Sequence, residues 1–594
     1  MFLNYFVILL PSCLAFEYKG GFVQSPARHE LLNVHGLRAT EIFSSLPESV
    51  DWRSDRNGNN IATKLRNQHI PHYCGACWSF AASSALSDRV NIVSGRIRQT
   101  GLSMQVILNC DMYDGGCHGG DPLTAYQFIH EAGGIPDETC QSYTAEGHDT
   151  GKECREMDVC MDCNEAGCFA KDEYPVWTVD EYGLVNGTDA MLAELQRGPI
   201  ACSIAVTEDF FTLRDFSIYK DESGDTELDH SISVVGYGSE AGKDYWIIRN
   251  SWGSYWGENG FARIARGVNN LGIESNCQFA VPANNGAPIM RKVNVPVPTV
   301  ALNSSCRRDK NEWKILHTEL SPSAALFDDE NLPESYDIRN LTGVQSFWTI
   351  DKNQHAPAYC GSCWAEAVTS ALSDRLALAN KGVWPPINLS PQVLINCKHG
   401  GDCQGGSPAL AYSSMRRFGV PDETCQAYSA RNSDTCDEMH VCEECFAGET
   451  PETFWPGTCH RVSTYNMYYV AEYGKVSGAE AMKTEIWKRG PITCGLFANS
   501  AFVNFRGNGV FQADAPNRTD INHEVAVSGW GRDSEGEFWI VRNSWGTAWG
   551  DFGWFRIRMH HQNLNIESDC SWAVPTTVKP GEDVNTDLPE AMTT

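Results

Sequence analysis

Behind Cys77 the chain reads WSFAASSALSDRVNIVSG, with apolar and small residues recurring at three- and four-residue steps until a glycine stops the run. That spacing predicts a core helix beginning at the cysteine. Farther on the pattern shortens. HSISVVGYG (230–238), DYWIIRNSWG (244–253) and FARIAR (261–266) are β-branched or aromatic runs divided by glycine-containing turns, and they predict strands. A helical half followed by a sheet half predicts an α+β module of two subdomains, with the cleft between them as the natural substrate site.

The whole succession is written twice. LPESVDWR (46–53) returns as LPESYDIR (332–339), ALSDR (85–89) returns at 371–375, PDETC (136–140) at 421–425 and RNSWG (249–253) at 542–546. Units of this length, 46–285 and 332–576, are expected to be independent domains rather than solenoid repeats. Between them, 286–331 holds PVPTV and the charged RRDKNEWK and is read as a linker or a second pro-like segment. Residues 577–594 form a polar tail.

Composition narrows the classes. A chain of 594 residues that is 42% hydrophobic and 11% aromatic is a folded protein too long for one core. Its formal charge of −29 argues against nucleic acid or an anionic membrane as partner. The start, MFLNYFVILLPSCLAF, has the short apolar run of a signal peptide (1–15) cleaved after Ala15, with a short pro-segment (16–45) behind it. No later run is long enough to span a bilayer. The secretory route is oxidising, so the 24 cysteines are expected as disulfides. N-x-S/T sequons at Asn186, Asn303, Asn340, Asn388 and Asn517 are compatible with it, although Pro391 argues against the one at Asn388.

Each unit holds eleven cysteines, and an odd number leaves at least one thiol unpaired per copy. CGACW (74–78) and CGSCW (360–364) allow three chemistries. A redox dithiol would place tryptophan ahead of the first cysteine, whereas Trp78 and Trp364 follow the second. A zinc site could use Cys160-x-x-Cys163 as one half, against the secretory routing. A nucleophile at a helix start, its thiol pKa lowered by the helix dipole, is the third. It needs a base and an oxyanion stabiliser. His230 follows Cys77 and His523 follows Cys363; Asn250 and Asn543 come 20 residues after their histidines, and Gln68 and Gln354 precede the cysteines. Gln, Cys, His and Asn in one order, twice, favour the nucleophile.

With GGCHGG (115–120), GDCQGG (401–406), DHSISVVGYG and NHEVAVSGWG, these residues resemble papain-like cysteine peptidases. LPESVDW, PDETC and NQHIPHYCGACW resemble the cathepsin X (cathepsin Z) subgroup in particular. The resemblance implies two papain-like domains in tandem, each with a mainly helical and a β-barrel-like subdomain. Cys77 and Cys363 would be the nucleophiles and His230 and His523 their partners, oriented by Asn250 and Asn543 under Trp252 and Trp545. Gln68 and Gln354 would serve the oxyanion, and Gly119, Gly120, Gly405 and Gly406 would bind substrate. It also implies pairings: Cys74 with Cys117, Cys110 with Cys154, Cys140 with Cys160, Cys163 with Cys168 and Cys202 with Cys277. In the second copy these become Cys360 with Cys403, Cys397 with Cys436, Cys425 with Cys442, Cys445 with Cys459 and Cys494 with Cys570.

The inserted His-Ile-Pro (69–71) and His-Ala-Pro (355–357) resemble the subgroup's loop that narrows the primed side of the cleft. His69 or His355 would bind a terminal carboxylate, so that peptide or protein substrates lose single residues from free C-termini. No metal and no cofactor is expected. Because a pro-segment cysteine can cap the nucleophile in this subgroup, Cys306 is a candidate inhibitory thiol on Cys363. Copy one has no such thiol once Cys13 leaves with the signal peptide. The expected setting is lysosomal or extracellular. Two rivals stand beside a double-headed carboxypeptidase: one active head with a regulatory or substrate-binding pseudoenzyme head, and papain-like endopeptidase activity. Asp229 before one histidine and Asn522 before the other mark local divergence.

Overall fold

The computed structural model describes residues 20–25, 46–54, 60–95, 98–295, 332–340, 347–382, 385–433, 435–516 and 521–580. The signal-peptide region with Cys13, most of both pro-like segments with Cys306, the sequons at Asn303 and Asn517, and the end of the tail lie outside them.

Each copy has two cores. In copy one, Trp78, Leu86, Ile107 and Tyr126 centre the helical half, while Ile204, Val234, Trp246 and Trp256 centre the sheet half. Copy two repeats this with Trp364, Leu372, Leu394 and Tyr412, and with Leu496, Val527, Trp539 and Trp549. This is the α+β organisation read from the sequence, in tandem. The helix after the first cysteine motif runs Cys77–Ser94 and stops at Gly95, whose φ of 62° is left-handed. All residues from Cys77 to Asn91 are buried, which explains why its sequence lacks a solvent-facing polar stripe and why its charged members, such as Asp88, are paired. Its counterpart is Cys363–Ala379.

The sheet of copy one follows the path Val179–Leu184, Cys277–Pro282, Ile200–Ile204, His230–Glu240, Lys243–Arg249, Phe261–Ala265, Ile218–Tyr219, antiparallel except for the last pair. Copy two repeats the order from Tyr469–Val476 to Val510–Phe511. In both, the histidine-bearing strand is bulged, at Val234/Gly236 and Val527/Gly529. Glycine is required there: a Cβ on Gly236 would stand 2.1 Å from the Val50 carbonyl oxygen, and one on Gly529 2.2 Å from that of Tyr336.

A buried ion pair joins the halves of each copy. Asp88 of the first helix meets Arg249 at 2.7 Å, and Asp374 meets Arg542 at 2.5 Å. Because Arg249 and Arg542 directly precede Asn250 and Asn543, the pair fixes the sheet's asparagine relative to the cysteine helix.

The copies face each other through equivalent surfaces, as in a two-fold dimer. Asn67 Nδ2 donates to the Thr424 carbonyl at 3.1 Å, and Asn353 Nδ2 to that of Thr139 at 2.8 Å. Ser254 Oγ donates to Asp422 at 2.5 Å, and Thr547 Oγ1 to Asp137 at 2.7 Å. Each copy also lends a disulfide-closed hairpin to the other's inserted loop. Cys163 and Cys168, on Met161–Asn164 and Gly167–Ala170, lie by the Pro357 carbonyl; Cys445 and Cys459, on Glu443–Phe446 and Thr458–Arg461, lie by that of Pro71.

Candidate active site

Copy one gathers its site around a buried sulfur. Cys77, the free thiol among the described cysteines, opens its helix and receives hydrogen bonds from Ser231, the neighbour of His230, and from the Gly21 backbone. His230 Nε2 lies 2.8 Å from Asn250 Oδ1, and the Trp252 ring stacks on the imidazole at 4.5 Å. That stack shields the histidine–asparagine bond from water. Gln68 is held at four points, one of them its backbone N–H, which donates to the Ser251 carbonyl at 2.9 Å. Its Nε2 donates to the Cys74 carbonyl at 3.1 Å, its Oε1 accepts from Ser251 Oγ at 2.6 Å, and its carbonyl accepts from Tyr143 at 2.7 Å. The second Nε2 hydrogen is not used by these bonds.

The cleft is filled by the chain itself. Residues 20–25 run along it in extended form: Val23 N donates to the Gly120 carbonyl at 3.0 Å, Gly120 N to that of Gly21 at 3.0 Å, and Phe22 N to that of Asp229 at 3.1 Å. Both cleft walls thus hold one strand of peptide backbone. Gly20 and Gly21 are needed for this fit, since a Cβ on them would stand 1.6 Å from the Asp229 oxygen and 2.2 Å from the Gly75 oxygen. Gly119 flanks the segment near Val23, and Gly120 is glycine because a Cβ would reach 2.6 Å from the Trp78 ring.

Burial under this cover decides the charge state. It pushes the Cys77 thiol up to about 12, against the hydrogen bonds from Ser231 and Gly21, and pushes His230 down to about 3, against its bond to Asn250. Burial therefore favours the neutral thiol and the neutral imidazole while the cleft is covered. Burial also raises Asp229 to about 8, helped by the charge of Asp225.

Copy two repeats the frame with a different sulfur. His523 Nε2 lies 2.7 Å from Asn543 Oδ1 under Trp545 at 4.5 Å, and Gln354 bonds the Cys360 carbonyl at 3.1 Å and Ser544 Oγ at 2.7 Å. Burial lowers His523 to about 3, again against its asparagine bond. Cys363, however, is disulfide-bonded, and its partner is none of the described cysteines. Gly405 and Gly406 form a two-residue strand against Gly401–Asp402, and Trp364 excludes a Cβ at Gly406 as Trp78 does at Gly120.

Among the described residues ten disulfides join cysteine to cysteine: 74–117, 110–154, 140–160, 163–168 and 202–277 in copy one, and 360–403, 397–436, 425–442, 445–459 and 494–570 in copy two. Cys160 and Cys163 are each oxidised with other partners, so they are no half-site for zinc.

The inserted histidines are buried as well. His69, 1% exposed, stacks on Tyr73 at 5.1 Å and lies 6.3 Å from the Trp252 ring, next to His230. His355 lies likewise against Tyr359 and Trp545, at 5.3 and 6.1 Å. Several contributors carry no motif of their own: Ser231, Ser251 and Ser544, Tyr143 and Tyr428, and the segment at 20–25. Ser251 and Ser544 lie within RNSWG and the buried aspartates within ALSDR, so the exact repeats were their available signal. Asn388, 6% exposed, accepts a hydrogen bond from Ile350 N, which leaves its amide no room for a glycan.

Comparison with known proteins gives one family. The model of the papain family cysteine protease matches residues 46–281 and 332–574. A cathepsin Z of Onchocerca volvulus is 45% identical over 258 residues, 42% of this chain and 79% of that protein. A KDEL-tailed cysteine endopeptidase of Arabidopsis thaliana is 32% identical over 48% of this chain and 72% of its own length. Among solved structures, the digestive procathepsin L 3 of the Tenebrio molitor larval midgut is 29% identical over 44% of this chain and 76% of that one, with a TM-score of 0.35.

Proposed function

The chain belongs to the papain family of cysteine proteases, and from that premise we propose that it is a latent, two-headed carboxypeptidase that removes single residues from free C-termini. The observation that carries the finer reading is the buried inserted histidine beside each His–Trp pair, present in both copies. Its ring supplies a hydrogen-bond donor where a chain must end, and an amidated end would leave that donor unpaired.

In the open head, Cys77 and His230 form a thiolate–imidazolium pair once water enters and the burial penalty on both charges falls. The thiolate attacks the scissile carbonyl, and the oxyanion is met by the Gln68 amide and the Cys77 backbone N–H. His230 passes its proton to the departing amine, then takes one from water to hydrolyse the thioester. Asn250 holds the imidazole in the plane these transfers need. His523, Asn543, Gln354 and Cys363 repeat the roles in head two.

Latency has two forms in this proposal. Residues 20–25 belong to the pro-segment of head one and lie over Cys77 without a covalent bond. Head two is closed by the disulfide on Cys363, for which Cys306 is the proposed partner; mass spectrometry of the unreduced protein that finds Cys306 free or bonded elsewhere defeats that assignment. The oxidised Cys363 also favours a second reading, in which head one works and head two regulates it. Among the described residues no helix is long and apolar enough to cross a membrane, which with the disulfides supports a lysosomal or extracellular setting reached through the secretory pathway.

The test is product analysis on one peptide as free acid and as C-terminal amide, at acidic pH under reduction. Stepwise loss of C-terminal residues from the free acid alone is expected; internal cleavage of both forms would leave a papain-type endopeptidase. Titration with an irreversible thiol reagent should consume two equivalents per processed, reduced chain, and one equivalent would support the single-head reading.

A further inference from the structure

The histidine of each inserted loop meets an acid from the other copy. His69 Nδ1 lies 2.6 Å from Glu444 Oε1 across 375 residues of chain, and the pair is buried. The contact is one of a set. The His69 carbonyl accepts from Cys445 N at 3.2 Å, and Asn67 Oδ1 holds the His69 amide at 2.9 Å. Asn67 Nδ2 reaches the Thr424 carbonyl at 3.1 Å and Glu444 Oε2 at 3.5 Å. The hairpin of copy two thus clamps both backbone and ring of the copy-one loop. His69 Nε2 is the remaining ring nitrogen: buried, without a hydrogen-bond partner among the described residues, on a ring lying beside Trp252 and His230.

The equivalent contact is looser. Asp162 stands where copy two has Glu444, one methylene shorter, and its Oδ1 is 3.4 Å from His355 Nδ1, too poorly aligned to count as a hydrogen bond. Asp162 Oδ2 is also held by Lys171 at 3.1 Å. Against burial, which pushes it up, Lys171 and then His355 hold this carboxyl down at about 2.

We propose that Glu444 of copy two is a positioning residue for the substrate-carboxylate site of copy one, fixing the His69 ring through Nδ1 so that Nε2 is presented to the terminal carboxylate. A buried polar ring atom without a partner is costly in the closed protein, and an incoming carboxylate oxygen removes that cost. A carboxylate on one imidazole nitrogen sets the ring's orientation and supports a proton on the other, as acid partners do for metal-binding and catalytic histidines. Head one is therefore complete only with the second domain docked on it, while head two receives weaker support from Asp162. This inference rests on the carboxypeptidase reading.

The test uses the full chain, processed and reduced, in a Cys363→Ala background that confines turnover to Cys77. The parent must first distinguish free-acid from amidated peptide; if it does not, the carboxypeptidase reading falls before Glu444 is touched. If it does, Glu444→Gln, which keeps size and an acceptor but removes the charge, is expected to raise KM for the free acid about tenfold, the worth of a charge-assisted hydrogen bond, with kcat within about twofold. Glu444→Asp should recover part of the loss. Any slow turnover of the amidated peptide should be unmoved, which a general structural defect would not allow. An unchanged KM would overturn the proposal. So would a lower KM, because it would make Glu444 a competitor of the substrate carboxylate instead of a support for its binding site.

Discussion

The two heads share one frame and are closed in different ways. In each, a histidine bonds an asparagine beneath a tryptophan, a glutamine is pinned between the first cysteine of the motif and a serine, and an Asp–Arg pair joins helix to sheet. Head one is covered by a glycine-bearing segment that touches the sulfur only through hydrogen bonds, whereas the sulfur of head two is oxidised. Head one is also overhung by its partner. The loop closed by Cys445 and Cys459 spans 14 positions where that of Cys163 and Cys168 spans five. From it Phe454 packs on Tyr73 and His118, and Trp455 Nε1 donates to the Ala145 carbonyl at 2.8 Å. This frame differs little between the copies because burial couples its members. The cover is free to diverge because it need only exclude water and substrate.

The sharpest break between the heads is their response to reductant. In Cys77→Ala protein no turnover is expected without reductant, and turnover by head two should appear when it is added. In Cys363→Ala protein, reductant should change little. Head one should instead open through sterics: Gly21→Ala places a methyl 2.2 Å from the Gly75 carbonyl oxygen and should expel the segment, giving thiol labelling of Cys77 without processing.

Next in size are the Asp–Arg pairs, which should make the heads alike. Asp88→Asn and Asp374→Asn each leave a buried guanidinium short of its counter-charge and should cost about 3–5 kcal/mol in thermal or denaturant unfolding. Unequal losses would show that one domain props up the other. Trp455→Ala should cost about 2 kcal/mol, from lost apolar burial and one hydrogen bond, and should speed labelling of head one but not of head two.

The smallest contrast concerns pH. Burial, reinforced by the charge of Asp114, lifts Asp111 to about 8. Burial, reinforced by the charge of Asp121 and opposed by hydrogen bonds from Thr124 and Asp111, lifts Asp114 to about 7; copy two has no such pair in its shorter KHGGD segment. Folded copy one therefore holds protons that its unfolded chain releases above about pH 4. That contribution is fully present below about pH 4 and is lost as pH rises towards 8. Asp111→Asn should flatten the melting-temperature profile of copy one over that range. Copy two keeps a slope of its own through Glu366 and Glu443, each of which burial raises to about 7.

Much of this protein is legible in one dimension because it is repeated. Duplicated LPES, ALSDR, PDETC and RNSWG set the two domains, and the change from helical spacing to short β-branched runs set the two halves of each. The family follows from the cysteine, histidine and asparagine motifs, and the family match covers both copies. Such features are local in sequence or recur at fixed order, so a single chain displays them. The Glu444–His69 contact has no such trace: its partners are 375 residues apart, and a glutamate in a hairpin reads as a solvated charge until the other domain is docked on it. Tertiary structure alone also decided that Gly20 and Gly21 thread the cleft and that the larger loop of copy two overhangs head one. Composition and periodicity report what each segment buries; which surface buries it is fixed only when the two domains close on each other.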